Sequence, residues 1–254
     1  MRKRASDHDV VVYDKDQEKA KSLGLRFDVQ PADSLKLLCY ESVIIIIAVK
    51  PQDMEEVCGQ MKGLVRKVII SIAAGVTLPY LESKFGKDMV IVRAMPNINA
   101  MIGHGVTGLS FNKNAGDEDK AIVKKIFESV GAVVFVPESQ MNAVTAISGS
   151  GPAFVAYLVN DLGEKVIGEV MMREAAAFGI EASVAKRLAE TTISGTRRML
   201  ATNFDAKILI QRVSSKGGTT EAGMNILEQK GKTAEALSAA IQAACRRAAE
   251  LSKS

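Results

Sequence analysis

The sequence predicts an α/β layer built on a parallel sheet, followed by an all-helical region. Three observations carry this. From Val10 to Val136, short apolar runs alternate with segments of helical period, the pattern of strands joined by crossover helices. Val43-Ile-Ile-Ile-Ile-Ala-Val49 is β-branched almost throughout and does not alternate, as expected of a strand buried on both faces. After Pro137 only helical periodicity continues. The domain division is therefore placed between residues 1–138 and 139–254.

The first domain reads in order as follows. Val10–Asp14 is a short strand ending in an acid, and Lys15–Leu23 a helix stopped at Gly24. A brief strand at Leu25–Val29 and a helix at Ala32–Tyr40 follow. The strand at Val43–Val49 ends at Lys50-Pro51, where proline forces a turn. Next come a helix at Asp53–Met61, a strand at Val68–Ile72, Gly75, a helix at Thr77–Phe85 and a strand at Met89–Arg93. Val106–Phe111 and Val133–Val136 are strands flanking a helix at Asp117–Val130. Ligands of such sheets bind beyond the carboxyl ends of the strands. That singles out Val49-Lys50-Pro51, Ala73-Ala74-Gly75 and Met95-Pro96-Asn97.

In the second domain, Ser148-Gly-Ser-Gly-Pro152 is read as a break, with Pro152 suited to a first helical position. A helix spans Phe154–Phe178, with Val155, Leu158, Val159, Leu162, Val166 and Val170 at helical spacing. Glu181–Leu200, Ala206–Val213, Thr219–Glu228 and Lys232–Ser252 complete it. Leu237, Ile241, Ala244, Cys245, Ala248 and Leu251 form one stripe on the last helix, for which a second copy of the chain is the expected cover.

Composition narrows the function. The 254 residues are 47% hydrophobic with a net charge of +4. The longest apolar run is too short to cross a bilayer, and no signal peptide opens the chain, so a cytoplasmic location is expected. Cys39, Cys58 and Cys245 are widely spaced and form no metal set with His8 and His104. Tryptophan is absent and basic residues are not interleaved with aromatics, which argues against nucleic acid.

The chemistry concentrates in Val213-Ser-Ser-Lys-Gly-Gly-Thr-Thr-Glu-Ala-Gly223. Gly217 and Gly218 can take positive φ and allow close approach to the backbone. Thr219 or Thr220 can cap the following helix. A helix start of this kind offers free N–H groups and partial positive charge to a carboxylate or phosphate, and Ser215 and the threonines add hydroxyls. A plain interhelix turn would use the same residues.

This segment resembles the signature of the pyrroline-5-carboxylate reductases, with Lys216 where many members have proline. Ala48-Val-Lys-Pro51, Ser71-Ile-Ala-Ala-Gly-Val-Thr77, Arg93-Ala-Met-Pro-Asn97 and Ser148-Gly-Ser-Gly-Pro-Ala153 resemble the same family in the same order; Ile98-Asn99 departs from its common threonine and proline. The resemblance implies a Rossmann-like dinucleotide domain followed by an all-α dimerisation and substrate-binding domain. It implies hydride transfer from NADPH or NADH to the imine of 1-pyrroline-5-carboxylate, giving L-proline in the last step of proline biosynthesis. It implies a homodimer through the C-terminal helices, with a decamer as the larger assembly. Ser215, Gly218, Thr219 and Thr220 would hold the substrate carboxylate, with Thr220 at the ring nitrogen and Glu138 a second candidate there. Val49, Lys50, Pro51, Ala74 and Asn97 would line the nicotinamide. Asp14 sits where an acid binds the adenosine ribose, with Lys15 beside it for a 2′-phosphate, so cofactor preference stays open.

The family opens with a strand, a glycine-rich turn and a helix. This chain begins where that helix should end: Met1-Arg-Lys-Arg4 reads as its basic last turn and His8–Asp14 as the second strand. An N-terminally truncated sheet is therefore expected, with a poor or inactive enzyme in the 254-residue chain as written. The other readings are an oligomerising short form without activity and a reductase of another small imino or 2-oxo acid.

Overall fold

The computed structural model describes residues 9–64, 68–202 and 204–252. The readings of Met1–Arg4 as a helical turn and of His8 as the start of a strand fall outside them. Two sheets form. β1 (Val11–Val12) and β2 (Gln30–Pro31) pair in parallel by themselves, joined by α1 (Gln17–Phe27). Five strands make the main sheet in the order β3 (Ile44–Ile47), β4 (Val68–Ser71), β5 (Val90–Met95), β6 (Gly105–Phe111), β7 (Gly131–Phe135). All neighbours run parallel except β5 and β6, which pair antiparallel with Val92 opposite Phe111. The sheet is thus parallel, as expected, apart from one antiparallel step between β5 and β6.

The first helix does not stop at Gly24. It runs to Phe27, and the chain turns at Asp28, which takes the left-handed conformation (φ 57°, ψ 49°). Leu25–Val29 is therefore not a strand. Gly24 serves close approach instead: a Cβ there would lie 2.8 Å from Pro31 Cγ and 3.0 Å from Val29 O.

Of α2 (Leu35–Glu41), α3 (Met54–Met61) and α4 (Leu78–Phe85), the first and last are capped by side chains: Ser34 accepts from the Leu37 N–H and Thr77 from the Tyr80 N–H, while Asp53 before α3 makes no such bond. Ile45, Ile47, Ile69 and Ile91 pack on one face with residues of these helices. Val68, Ile70, Val92 and Ala94 pack on the other with α5 (Asp117–Glu128). The isoleucine run is not buried throughout. Ile46 is 43% exposed, since among the described residues β3 is an edge strand of the main sheet and no helix packs on that point.

From Glu138 onward the described chain has no strand. α6 (Met141–Val144), a π turn at Thr145–Gly149 and α7 (Gly151–Ala177) form one nearly continuous path. The expected break at 148–152 is a π bulge, closed by the Ser150 N–H to Thr145 O bond at 2.8 Å. The real interruption lies at Gly163 (φ 75°, ψ 159°), inside the helix expected to be continuous. α8 (Ala182–Ala201), α9 (Ala206–Val213), α10 (Thr219–Lys230) and α11 (Ala234–Leu251) follow. The α11 stripe is already covered by its own chain: Leu237, Ile241 and Ala244 are wholly buried in a core shared with α7 and α10. Cys245 and Leu251 of the same stripe stay half-buried. No helix among the described residues is long and apolar enough to cross a membrane.

Candidate functional site

The glycine loop joins α9 to α10. Gly217 has φ +69°, as its sequence suggests. Gly218 does not: its φ is −86° and its ψ 178°. It is glycine for want of room, since a Cβ there would lie 2.3 Å from Ser215 Oγ. Gly218 is also the N-cap of α10, which displaces the expected threonine cap. Both threonines are thereby carried into the first helical turn, with their side chains free for other work.

Those side chains meet a residue that the sequence reading leaves without a role. Thr220 Oγ1 donates to Ser150 Oγ at 3.0 Å, and Ser150 Oγ lies 3.0 Å from Thr219 Oγ1. Ser150 is wholly buried, Thr220 nearly so, and Thr219 half-buried. The signal was in the sequence: a serine between two glycines, where the flanking residues must be small. A Cβ on Gly149 would lie 2.8 Å from Met95 Cε, and one on Gly151 2.9 Å from Thr192 Cγ2.

The amides are only partly available to an anion. The Gly218 N–H is taken by Ser215 O at 2.9 Å, and the Gly217 N–H by Glu221 Oε2 at 2.7 Å. Gly218 therefore cannot offer its amide as expected. The N–H groups of Thr219 and Thr220, the first two of the helix, have no intrahelical acceptor and remain the donors of this helix end. Ser215 is exposed at the mouth of the loop. Arg247 Nε donates to Gly217 O at 2.8 Å, tying α11 to the loop.

Two strand ends touch the helical region. Met95, closing β5, packs on Gly149 beside Ser150. Gly75 (φ +81°) abuts the last turn of α11, where a Cβ would lie 3.1 Å from Leu251 O. Ala74 is half-buried beside it. Asn97 is buried, and its Oδ1 accepts from the Val106 N–H at 3.2 Å. Its Nδ2 has no partner among the described residues. Val49 is half-buried and Lys50 and Pro51 exposed after β3. Asp14 stands apart, past the end of β1. Its carboxylate accepts from Lys19 Nζ and from the Asp16 N–H, and the Lys19 bond above all holds its pKa below the usual carboxylate value. Lys15 lies 3.7 Å from Asp53.

Glu138 follows β7 and opens the helical part of the chain. Oε1 accepts from Arg93 Nη1 at 2.7 Å and faces the Leu78 N–H at 3.4 Å; Oε2 is buried with no partner among the described residues. Sequence reasoning offered no role for Arg93, a buried cation on a central strand.

Residues 138–251 match the family model described as pyrroline-5-carboxylate reductase dimerisation, and residues 2–75 that described as NADP oxidoreductase coenzyme F420-dependent. The pyrroline-5-carboxylate reductase of Aquifex aeolicus is 34% identical over 230 residues, covering 90% of this chain and 83% of the relative. That of Synechocystis is 39% identical over 214 residues, covering 84% and 76%. The solved pyrroline-5-carboxylate reductase of Coxiella burnetii superposes with a TM-score of 0.65 at 32% identity, covering 98% of this chain and 91% of that one. The Plasmodium falciparum pyrroline carboxylate reductase, solved with NADP bound, gives 0.61 at 27% identity, covering 95% and 87%. The chain belongs to the pyrroline-5-carboxylate reductase family.

Proposed function

We propose that this chain reduces the ring imine of 1-pyrroline-5-carboxylate to L-proline, with Thr219 and Thr220 as the residues that hold the substrate. The observation that carries the reading is the hydroxyl cluster of Ser150, Thr219 and Thr220 at the start of α10, beside Met95 from the end of β5. The N–H groups of Thr219 and Thr220 suit the carboxylate, with the Ser215 hydroxyl at the rim. Thr220 meets the ring nitrogen. A neutral threonine is a very weak acid, so it orients the nitrogen rather than protonating it.

The cofactor is a nicotinamide dinucleotide, which supplies hydride to the imine carbon when bound. The strand-end residues fit it. Asn97 has an unspent buried donor at the sheet edge, suited to a carboxamide oxygen. Val49, Pro51 and Ala74 supply the wall, Lys50 a cation, and Asp14 an ionised carboxylate for a ribose. Glu138 keeps a free buried oxygen at the junction of the two halves and remains the second candidate at the ring nitrogen.

Residues 1–138 form the dinucleotide-binding unit in this reading and 139–254 the dimerisation and substrate-binding unit, assembling as a homodimer or as a decamer built from it. The dimer rests on the family-model match over 138–251. A cytoplasmic location accords with three free thiols.

The test follows NADPH and NADH oxidation with 1-pyrroline-5-carboxylate. Membership of the family leads us to expect turnover by wild type, against the poor enzyme that the opening residues suggest, and Thr220→Val, nearly isosteric, should lose about 10-fold or more in kcat/KM, the worth of a hydrogen bond to a charged group. No oxidation by a folded wild-type chain would overturn the reading.

A further inference from the structure

The two threonine hydroxyls are coupled in a fixed direction. A hydroxyl has one hydrogen and two lone pairs. Thr220 commits its hydrogen to Ser150 Oγ. Ser150 is wholly buried, so its own hydrogen cannot go to water, and Thr219 Oγ1 at 3.0 Å is there to accept it. The Thr219 hydrogen is then left to point out of the cluster. The order runs from Thr220 through Ser150 to Thr219, so Thr219 presents a hydrogen to a ligand and Thr220 presents lone pairs.

We infer that Ser150 is a positioning residue that sets this polarity, and that the polarity selects a zwitterion. The inference rests on the reading that both threonines face the substrate. A carboxylate takes the hydrogen offered by Thr219. A protonated ring nitrogen gives its N–H to the lone pairs of Thr220. The form of the substrate recognised is therefore the iminium carboxylate. As the ring carbon takes the hydride, the C=N pair of electrons moves onto a nitrogen that already holds its proton. No proton leaves the protein in that step.

The backbone explains how one serine can be held this firmly. The π turn places Ser150 by its N–H bond to Thr145 O at 2.8 Å. The flanking glycines let Met95 close in on one side and Thr192 on the other. The backbone on either side of Ser150 is thus held by contacts from β5 and α8, while Ser150 Oγ itself meets the two threonines.

Two ring carboxylates of opposite ring polarity test this. L-Proline offers a ring ammonium that donates; tetrahydrofuran-2-carboxylate offers a ring oxygen that only accepts. Their dissociation constants are measured by calorimetry on the full chain. Wild type should prefer L-proline by about 10-fold, the worth of a charge-assisted hydrogen bond against an unmatched acceptor. In Ser150→Ala the Thr220 hydroxyl is free to turn and donate, so the preference should narrow to about twofold or less. Ser150→Cys, which keeps the bulk and offers a poor acceptor, should behave the same way. A role in packing alone would weaken both ligands together and leave the ratio unchanged. An unchanged ratio in both variants, with cooperative unfolding retained, overturns the polarity. Equal binding of both ligands by wild type, lost in Thr220→Val, overturns the polarity while keeping the loop as the substrate site. Binding of neither ligand by wild type overturns both readings.

Discussion

Arg93 Nη1 donates to Glu138 Oε1 across 2.7 Å, with the arginine side chain only 3% exposed. The pair joins the middle of the sheet to the first residue of the helical region. Arg93 Nη2 also approaches Asn142 Oδ1 at 3.5 Å, and Ser252 Oγ donates to that oxygen at 3.0 Å. Removing one partner of a buried pair strands the other. Arg93→Ala should therefore cost about 3–5 kcal/mol, and Glu138→Gln, which keeps an acceptor, distinctly less. Urea unfolding of both variants checks the order; equal losses would mean that the charge of Glu138 matters more than its acceptor.

Gly195 lies inside α8, where alanine is ordinarily better by about 1 kcal/mol. Here a Cβ would lie 2.4 Å from His104 O and 2.7 Å from Asn99 Nδ2. Asn99 is wholly buried and donates to Thr192 O and Thr196 Oγ1. Overpacking of about 1–3 kcal/mol outweighs the propensity gain. Gly195→Ala should lower Tm, and a raised Tm would show that the 98–104 turn yields.

Asp14 is ionised and tied to Lys19. A carboxylate there favours ribose hydroxyls and repels a 2′-phosphate. Asp14→Ala should weaken NADH far more than NADPH in fluorescence titration. Equal losses would remove Asp14 from the ribose site.

Glu174 is buried in α7 and accepts from Ser238 Oγ at 2.7 Å and Gln242 Nε2 at 2.9 Å, both on α11. Burial raises its pKa, but the bonds from Gln242, Ser238 and Arg173 outweigh burial and leave it below the usual value. A depressed folded pKa adds stability above the unfolded pKa, and that stability is lost as pH falls through the folded one. Glu174→Ala should cost about 1–3 kcal/mol near neutrality and flatten the acid limb of Tm against pH. An unaltered acid limb would dissociate Glu174 from it.

Much of this was legible beforehand, for local reasons. Thr77 announces its helix because a capping side chain acts within three residues; the helix expected from Ala32 instead starts at Leu35, after the cap Ser34. The motifs at 93–97, 148–153 and 213–223 carry the family. What escaped notice is non-local. Ser150 gains its role from threonines 69 and 70 residues away, and Arg93 from an acid 45 residues on. The antiparallel step at β6 is a matter of connection, which strand composition does not encode. Gly24 and Gly218 were misread because a glycine can answer crowding as well as positive φ.

The separate β1–β2 pair has a mechanical consequence. Ala20 is the only buried residue of α1, both residues of β2 are exposed, and Leu25 and Phe27 are 83% and 56% exposed. Few buried apolar contacts place a segment at the low end of local opening free energy. Val68, Ile69 and Ile70 on β4, by contrast, are almost wholly buried. Amide hydrogen exchange should be fast at Gln30 and slow at Ile70. A dinucleotide lying from Asp14 to Asn97 would rest its adenosine on a compliant support and its nicotinamide on a stiff one.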